Sequence, residues 1–554
     1  MTSSSALNQS NQSASNTFAQ KVADIEQSPW FDADWYLSHY PDVAASGMSA
    51  AEHYLLLGEA WGRRAGPRFD PQFYVNNHHD IANAGISPLL HFTRNGAREG
   101  RWPARLSAQH HETLLWQQDA VELQLARLGE LLFHQDPWEA SYAAWALGRW
   151  YAWLGEWERC ADVLAHRHGL LEVKPATAAP RLLEIEALTR SGQLVAAWRS
   201  IQWLKIAFPD YQDTQLALAN LLAAQAADYT AEHPTPCVSQ AQALSDQQRL
   251  QHINTLYPSG LCPVTLKDPF QPLTLENLTV DRDAIAALKV PASTGELVSV
   301  IMPLFNAQEH LETALQSLAD QTYSHFEVIV VDDASTDGSL DVAKAFSQRD
   351  ERFIVISQPV NQGAYAARNR GLDVARGALI TVHDSDDWSH PQKLAQQVAG
   401  LQGHPEWKAC FSDWVRCSTD MVFNRWRLEA MDGWVYRNTS SFMFRREVVE
   451  QLGFWDVVRV DADTEYFLRL VTAYGNTAFG TVEQGVPLSF GRSLPTSLSQ
   501  AGATHLVTQF KGVRCDYRYA SAQWHARAEK PSDLYMPARP DVRPFEAPSA
   551  NLPG

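Results

Sequence analysis

Paired cysteines are missing from this sequence. The six present (Cys160, Cys237, Cys262, Cys410, Cys417 and Cys515) are scattered over 554 residues, with no CxxC and no zinc-ligand spacing. That excludes a disulfide scaffold and a zinc ribbon, and predicts free thiols in a reducing compartment. Long apolar runs are missing too, since none approaches the roughly 18–20 residues of a membrane span. The opening MTSSSALNQSNQSASNTF holds no cation and no apolar segment, so no secretory signal is expected. Positive charge is also scarce. Lys+Arg is 45 against Asp+Glu 63, a net −18, which argues against a nucleic-acid coat because phosphate binding needs clustered cations. These deficits predict a cytoplasmic chain, or one held peripherally at the inner face of the cell membrane. What is present fits a globular chain: 45% apolar and 19% charged residues, with enough length for several domains.

Composition and pattern divide the chain into six stretches. Residues 1–27 are rich in Ser, Asn and Gln and read as a disordered tail. Residues 28–106 hold two copies of a 38-residue helical repeat. FDADWYLSHYPDVAASG begins at Phe31 and FDPQFYVNNHHDIANAG at Phe69, pairing Tyr36 with Tyr74, Asp42 with Asp80, His53 with His91, Gly58 with Gly96 and Arg63 with Arg101. A small helical core, with His53 and His91 as hydrogen-bonded packing residues, is the plainer reading than a ligand site. Residues 107–260 show helical periodicity. WALGRWYAWLGEWERCADVL, from Trp145, has a tetratricopeptide-like layout, and a second glycine turn follows at Gly192. Such helices either offer a concave face to a partner or brace the next domain. Residues 261–296 read as a linker. From 297 to 500, strands alternate with helices: VSVIMPLF, FEVIVVDD, FIVISQP and ALITVHDSDDW are strands, and Asn306 is expected to cap the helix after the first. This is a doubly wound α/β pattern, whose ligands sit at the carboxyl ends of the strands. Residues 501–554 read as a helix and an extended Pro-rich tail.

Most of four polar clusters fall at such strand ends. Asp332 and Asp333 close the second strand, where a carboxylate can accept from a ribose hydroxyl or a base N–H. Asn361-Gln362-Gly363 allows close backbone approach, and Arg368 on the helix behind it can meet phosphate oxygens. Asp384-Ser385-Asp386-Asp387-Trp388 carries two carboxylates one residue apart, a pattern able to hold Mg²⁺ or Mn²⁺ that takes its remaining oxygens from phosphates and water. Asp461-Ala462-Asp463-Thr464-Glu465, with Arg469, opens an amphipathic helix.

Each cluster alone could be loop chemistry. Together, VSVIMPLFN, VVDDASTDGS, NQGAYAARNRG, HDSDDW, SSFMFRREVVEQLGFWD and DADTEYFLRL resemble a family 2 glycosyltransferase with the GT-A fold, over about 297–500. The N-terminal repeat resembles a module of bacterial surface-polysaccharide glycosyltransferases. The resemblance implies a nucleotide-sugar domain in which Pro303, Phe305 and Asn306 line the nucleoside pocket and Asp332 or Asp333 contacts base or ribose. Gly363 and Arg368 would approach the diphosphate. Asp384-Ser385-Asp386 would be the D-x-D element, with Asp386 the main ligand of Mn²⁺ or Mg²⁺ and Asp384 on the ribose or the hydrated metal. Asp463 would be the general base, favoured over Asp461 by its phasing to Glu465 and Arg469. Asp387, Trp388, Glu465 and Arg492 are further candidates for acceptor or phosphate contact. Two departures stand out. The Glu expected beside the base is Ala462, and the His of an expected Arg-x-His after Arg492 is Leu494.

The implied reaction is inverting transfer from a nucleotide-diphosphate sugar, most often a UDP-sugar, to a hydroxyl of a glycan or lipid-linked acceptor in surface-polysaccharide assembly. The helical half would bind acceptor, partner proteins or the membrane face. Two rivals remain at this stage. Ala462 and Leu494 would suit a degenerate transferase acting as a scaffold or glycan-binding protein. A nucleotidyltransferase would also use acidic metal sites, but no Gly-rich triphosphate loop with Arg or Lys is present. Trp388, Trp414, Trp426 and Trp434 lie where an acceptor sugar could stack, although core packing is the better reading for any single one.

Overall fold

The computed structural model describes residues 18–553 apart from 79, 82–85, 100, 170–176, 233–237, 289–294, 426–432, 494–503 and 540–541. The chain forms two compact units. One holds residues 1–115, 119–151 and 159–180, and the other holds 116–118, 152–158 and 181–554. Among the described residues no helix is long and apolar enough to cross a membrane.

The first unit is helical. Each repeat opens on an Asp N-cap: Asp32 accepts from Trp35 N and Asp70 from Phe73 N. The repeat ends in a single π-helical turn, Tyr54–Gly58 in one copy and Phe92–Gly96 in the other. The paired residues explain one another. The Tyr36 hydroxyl meets His53 Nδ1 at 3.1 Å, and Tyr74 meets His91 Nδ1 at 2.9 Å. A Cβ on Gly58 would lie 2.0 Å from the Tyr36 hydroxyl, and one on Gly96 2.3 Å from that of Tyr74. Asp42 takes both Arg63 Nη atoms and Asp80 both those of Arg101. The repeated histidines are therefore packing groups. Gly85 and Gly100, the repeat counterparts of Gly47 and Gly62, lie outside the described residues. Of the stretch read as a disordered tail, residues 18–26 are helical, with Val22 and Ile25 buried, and residues 1–17 lie outside the described residues.

Among the described residues the second unit has twelve strands. β1 (Val264–Leu266) and β2 (Leu278–Val280) form an antiparallel pair. The rest make one mixed sheet: β3 (Val298–Leu304), β4 (Phe326–Asp332), β5 (Phe353–Ser357), β6 (Leu379–Val382), β7 (Trp388–Ser389), β8 (Ala409–Cys417), β9 (Phe423–Asn424), β10 (Tyr436–Arg437), β11 (Met443–Arg445) and β12 (Phe479–Arg492). Its order is β5-β4-β3-β6-β11-β8-β12-β7, with β9 and β10 also on β8. The first four strands are parallel, and β4 is buried at every residue, as a strand covered on both faces must be. The chain steps from β3 to β4 and β5, then returns to place β6 on the other side of β3. That reversal opens a crevice at the carboxyl ends of β3 and β6.

Among the helices of this unit are α1 (Leu194–Ala207), α2 (Asp213–Glu232), α3 (Val238–Asn254), α4 (Gln308–Ala319), α5 (Ser339–Arg349), α6 (Ala364–Val374), α7 (Lys393–Gly403), α8 (Arg446–Leu452), α9 (Ala462–Tyr474) and α10 (Val513–Ala526). α2 and α3 brace the sheet. Asn220 bonds both backbone groups of Phe423, Asp213 accepts from Trp434 N and Val435 N, and Arg249 donates to the carbonyls of Asp420 and Met421. These bonds tie α2 and α3 to the loops at the edge of the sheet.

Three expectations are corrected. Residues 261–296 are not a bare linker, because they carry the β1–β2 pair, and Cys262 N donates to Gln392 Oε1 at 2.7 Å. The C-terminal tail is not merely extended. Met536 bridges to Gly453, Phe545 joins the main core, and Asn551 bonds Val460 through backbone N–H and C=O. Asn306 does not cap α4. At φ +49° it turns its side-chain oxygen to Thr336 N, 2.8 Å away, and the α4 N-cap is Ala307.

Candidate active site

The loops after β3 and β4 are tied together before any ligand arrives. Asn306 N donates to Ser335 Oγ at 3.1 Å, answering the Asn306–Thr336 bond. Pro303 is half-buried at the end of β3, and Phe305 is 48% exposed. Asp332 and Asp333 are almost fully buried. Asp333 accepts from Gln362 N (2.8 Å), Gly363 N (2.7 Å) and Gln358 Nε2 (2.8 Å), which fixes the Gly363 turn at φ +90°. Its carboxylate is thus largely committed to shaping the loop. Asp332 is less engaged, with Ser357 Oγ at 3.2 Å and Ser335 N at 3.3 Å.

Gly363 leads into α6, which aims Arg368 at the acids after β6. Arg368 Nη2 donates to Asp384 Oδ1 at 3.1 Å, and the guanidinium lies 5.1 Å over the Tyr365 ring. Its Nε and Nη1 are buried with no hydrogen-bond partner. Two unanswered N–H groups on a buried cation are costly unless an anion meets them. Ser440 Oγ donates to Asp384 Oδ2 at 2.7 Å. Burial works against the charge of Asp384, yet Arg368 and Ser440 hold its carboxyl below the usual range. Asp386 differs. Burial, and then the charge of Asp384, push it up to about 6. Asp387 is buried, accepts from Arg492 N at 2.9 Å and is raised further, by burial and then by its two acidic neighbours.

The wall behind these acids is polar and closed. His383 Nε2 meets Ser389 Oγ at 2.9 Å, and Lys393 Nζ donates to the same oxygen at 3.2 Å. Burial lowers Lys393 to about 8, against the pull of Asp387 and Asp384.

At the opposite rim, α9 carries Asp463 in its first turn, half-buried, with Oδ1 accepting from Thr464 N at 2.7 Å. Its charge bears on both Arg368 and the buried Tyr365 phenol, which links it to the Asp384 side of the crevice. Asp461, its rival, is 4% exposed and ion-paired to Arg514 and Arg518. Ala462 lies wholly in the apolar core, so the departure from Glu at this position is a packing choice.

Four further candidates are buried among groups of the protein itself. Glu465 is buried between Arg469 (2.7 Å) and His525 (2.9 Å). Arg492 is 1% exposed, its guanidinium divided among Glu276 (2.7 Å), Thr419 Oγ1 (3.0 Å) and Asp386 O (3.1 Å). Asp387 is held by Arg492 N, and Trp388 stacks on Phe490 in the core. Asp387, Trp388, Glu465 and Arg492, the candidates for acceptor or phosphate contact, are thus each engaged by neighbouring groups of the protein. Trp434 is likewise buried, while Trp426 and Leu494 lie outside the described residues. Ser440 and Tyr365 belong to the site although sequence reasoning gave them no role. Both lie inside the matching stretches SSFMF and NQGAYAARNRG, the one signal that could have found them.

Among the described residues no group of three or more His, Cys, Asp or Glu could hold a metal ion. The local chemistry still fits a divalent cation with few protein ligands. Asp386 is a carboxyl whose ionisation is opposed by burial and by Asp384, and an added positive charge would relieve that.

A crevice at a strand-order reversal, lined by acids and an unsatisfied arginine, defines a ligand-binding α/β domain. Residues 299–463 match the model of glycosyl transferase family 2, and the chain carries a domain of that family. TuaG of Bacillus subtilis, described as a teichuronic acid biosynthesis glycosyltransferase, is 42% identical over 102 residues, 18% of this chain and 40% of TuaG. Glycosyltransferase GlyG of Streptococcus pneumoniae is 42% identical over 93 residues, 17% of this chain and 31% of GlyG. Residues 1–349 of Staphylococcus aureus TarS, solved with UDP-GlcNAc, align at 17% identity over 37% of this chain and 61% of that one, with a TM-score of 0.31. The chain spans less than half the length of the curated relatives TuaG, EpsH of Bacillus subtilis and a Haemophilus influenzae glycosyltransferase.

Proposed function

We propose that the sheet unit is an inverting GT-A glycosyltransferase. It moves a sugar from a nucleoside-diphosphate donor, with UDP the first choice of base, to a hydroxyl of a glycan or lipid-linked acceptor in bacterial surface-polysaccharide assembly. The observation that carries this reading is Arg368, buried beside Asp384 with two N–H groups lacking an acceptor. Diphosphate oxygens supply what it lacks. Asp386, with Asp384 behind it, would hold Mn²⁺ or Mg²⁺, which offsets the charge developing on the leaving diphosphate. Asp463 takes the proton from the acceptor hydroxyl as that oxygen attacks the sugar from the face opposite the diphosphate. The tetratricopeptide-like helices and the repeats would serve acceptor or partner binding outside this crevice, with the chain working at the inner membrane face.

The test is a thermal-shift series of the full chain with UDP, dTDP, GDP, CDP and ADP, with and without Mn²⁺. A metal-dependent shift with one nucleotide, absent in Asp386→Ala, supports the reading and names the base. No shift with any nucleotide, under conditions where a homologous transferase responds, refutes it. Asp463→Asn should keep the nucleotide shift and lose turnover.

A further inference from the structure

The segment leading into and through the first turn of α9 carries four acids, Asp456, Asp461, Asp463 and Glu465. Three are spoken for by the C-terminal stretch that follows the matched family segment. Asp456 accepts from the Tyr517 hydroxyl at 3.0 Å and pairs with Arg543. Asp461 pairs with Arg514 and, at 2.7 Å, with Arg518. Glu465 meets His525 Nε2 at 2.9 Å as well as its helical neighbour Arg469. Among the described residues, Asp463 alone of the four has no Arg, Lys or His paired with it.

The spacing has a mechanical consequence. Asp461 and Glu465 lie two residues before and two after Asp463, and both are gripped by one helix, α10. Asp461 also holds φ +71°, a left-handed conformation costing about 1–2 kcal/mol for a residue other than glycine, which persists only where the surroundings over-determine it. The two arginines are what over-determine it. Release of Asp461 would let the first turn of α9 relax and swing Asp463 from its place.

We infer that Arg514 and Arg518 of α10 are positioning residues for the general base: they clamp Asp461 so that the Asp463 carboxylate meets the acceptor hydroxyl. The inference rests on Asp463 being the base, as proposed above. It assigns a part in the reaction to a helix that begins fifty residues beyond Asp463 and outside the 299–463 family match.

The experiment compares full-length wild type, Arg514→Gln, Arg518→Gln, Arg518→Lys, Asp461→Asn and Asp463→Asn. Turnover is read as UDP release from UDP-glucose, UDP-galactose and UDP-GlcNAc with Mn²⁺. Hydrogen exchange is read over residues 456–467. The expected result is a fall in kcat of about tenfold or more in Arg514→Gln, Arg518→Gln and Asp461→Asn. Donor KM should stay within about twofold, Arg518→Lys should recover in part, and exchange should quicken over 456–467 and not over β3–β6. A matched rise in KM, or unchanged kcat and exchange, overturns the inference. If Arg514→Gln fails to fold, Arg518→Gln carries the test, because that side chain is 36% exposed. Asp463→Asn at the wild-type rate would instead remove the base assignment, and unchanged exchange in Arg518→Gln would then still refute the clamp.

Discussion

Replacing Asp386 by asparagine should make the ligand-free protein more stable while destroying its use for metal. The carboxyl is pushed up to about 6 in the folded chain, against 3.8 for an unperturbed aspartate. A raised carboxyl pKa means that the native state binds the proton more tightly than the unfolded chain. Stability contributed by that proton is complete below the unfolded value and is lost as pH rises through the folded one. At pH 7.5 the ionised group therefore costs about 3 kcal/mol, at roughly 1.4 kcal/mol per unit, and at pH 5 about half of that. Water reaching the half-buried side chain reduces both figures, so a gain of about 1–3 kcal/mol is expected for Asp386→Asn at pH 7.5. Urea unfolding in EDTA, followed by tryptophan fluorescence at the two pH values, measures it. Saturating UDP and Mn²⁺ should then reverse the order, stabilising wild type and leaving the variant unmoved. A variant no more stable than wild type at pH 7.5, or equally favoured at both pH values, would refute this account of the acid pair.

Three further outcomes are expected. Gly58→Ala places a methyl group 2.0 Å from the Tyr36 hydroxyl, so it should break the Tyr36–His53 bond and cost about 1–3 kcal/mol, seen as a lower melting point of the N-terminal unit. Asp213→Ala strips the buried Trp434 N–H of its acceptor and should cost about 1–3 kcal/mol in urea unfolding. Arg368→Met removes the cation proposed to meet the diphosphate and leaves Asp384 without its cation. Nucleotide affinity by calorimetry should fall about ten- to a hundredfold.

The part of the fold that the sequence made legible is the part governed by local rules. The four parallel strands are largely apolar runs, two of them (β4 and β6) leading into acids, and β3 to β6 fall where those runs lie. The repeat was visible because identical contacts demand identical residues, Tyr to His and Asp to Arg in each copy. Long-range structure was hidden. Nothing in residues 261–296 announces that Glu276 will meet Arg492, more than two hundred positions away, and without that partner Arg492 reads as a free phosphate ligand. Glu465 misleads in the same way, since its partner His525 lies sixty residues downstream. The anchors of Asp461 also lie far along the chain, which is why spacing alone could only rank it below Asp463.

The grip of α2 and α3 on the sheet sets a limit on how this chain can be shuffled. Asn220 and Asp213 satisfy backbone groups at Phe423 and Trp434 that are buried and have no water to turn to. A gene fragment cut at residue 297 would inherit Asp384, Asp386 and Asp463 and leave those amides bare. The compact unit that supplies those partners includes the stretch from residue 181 to the tail that packs against Gly453 and Val460.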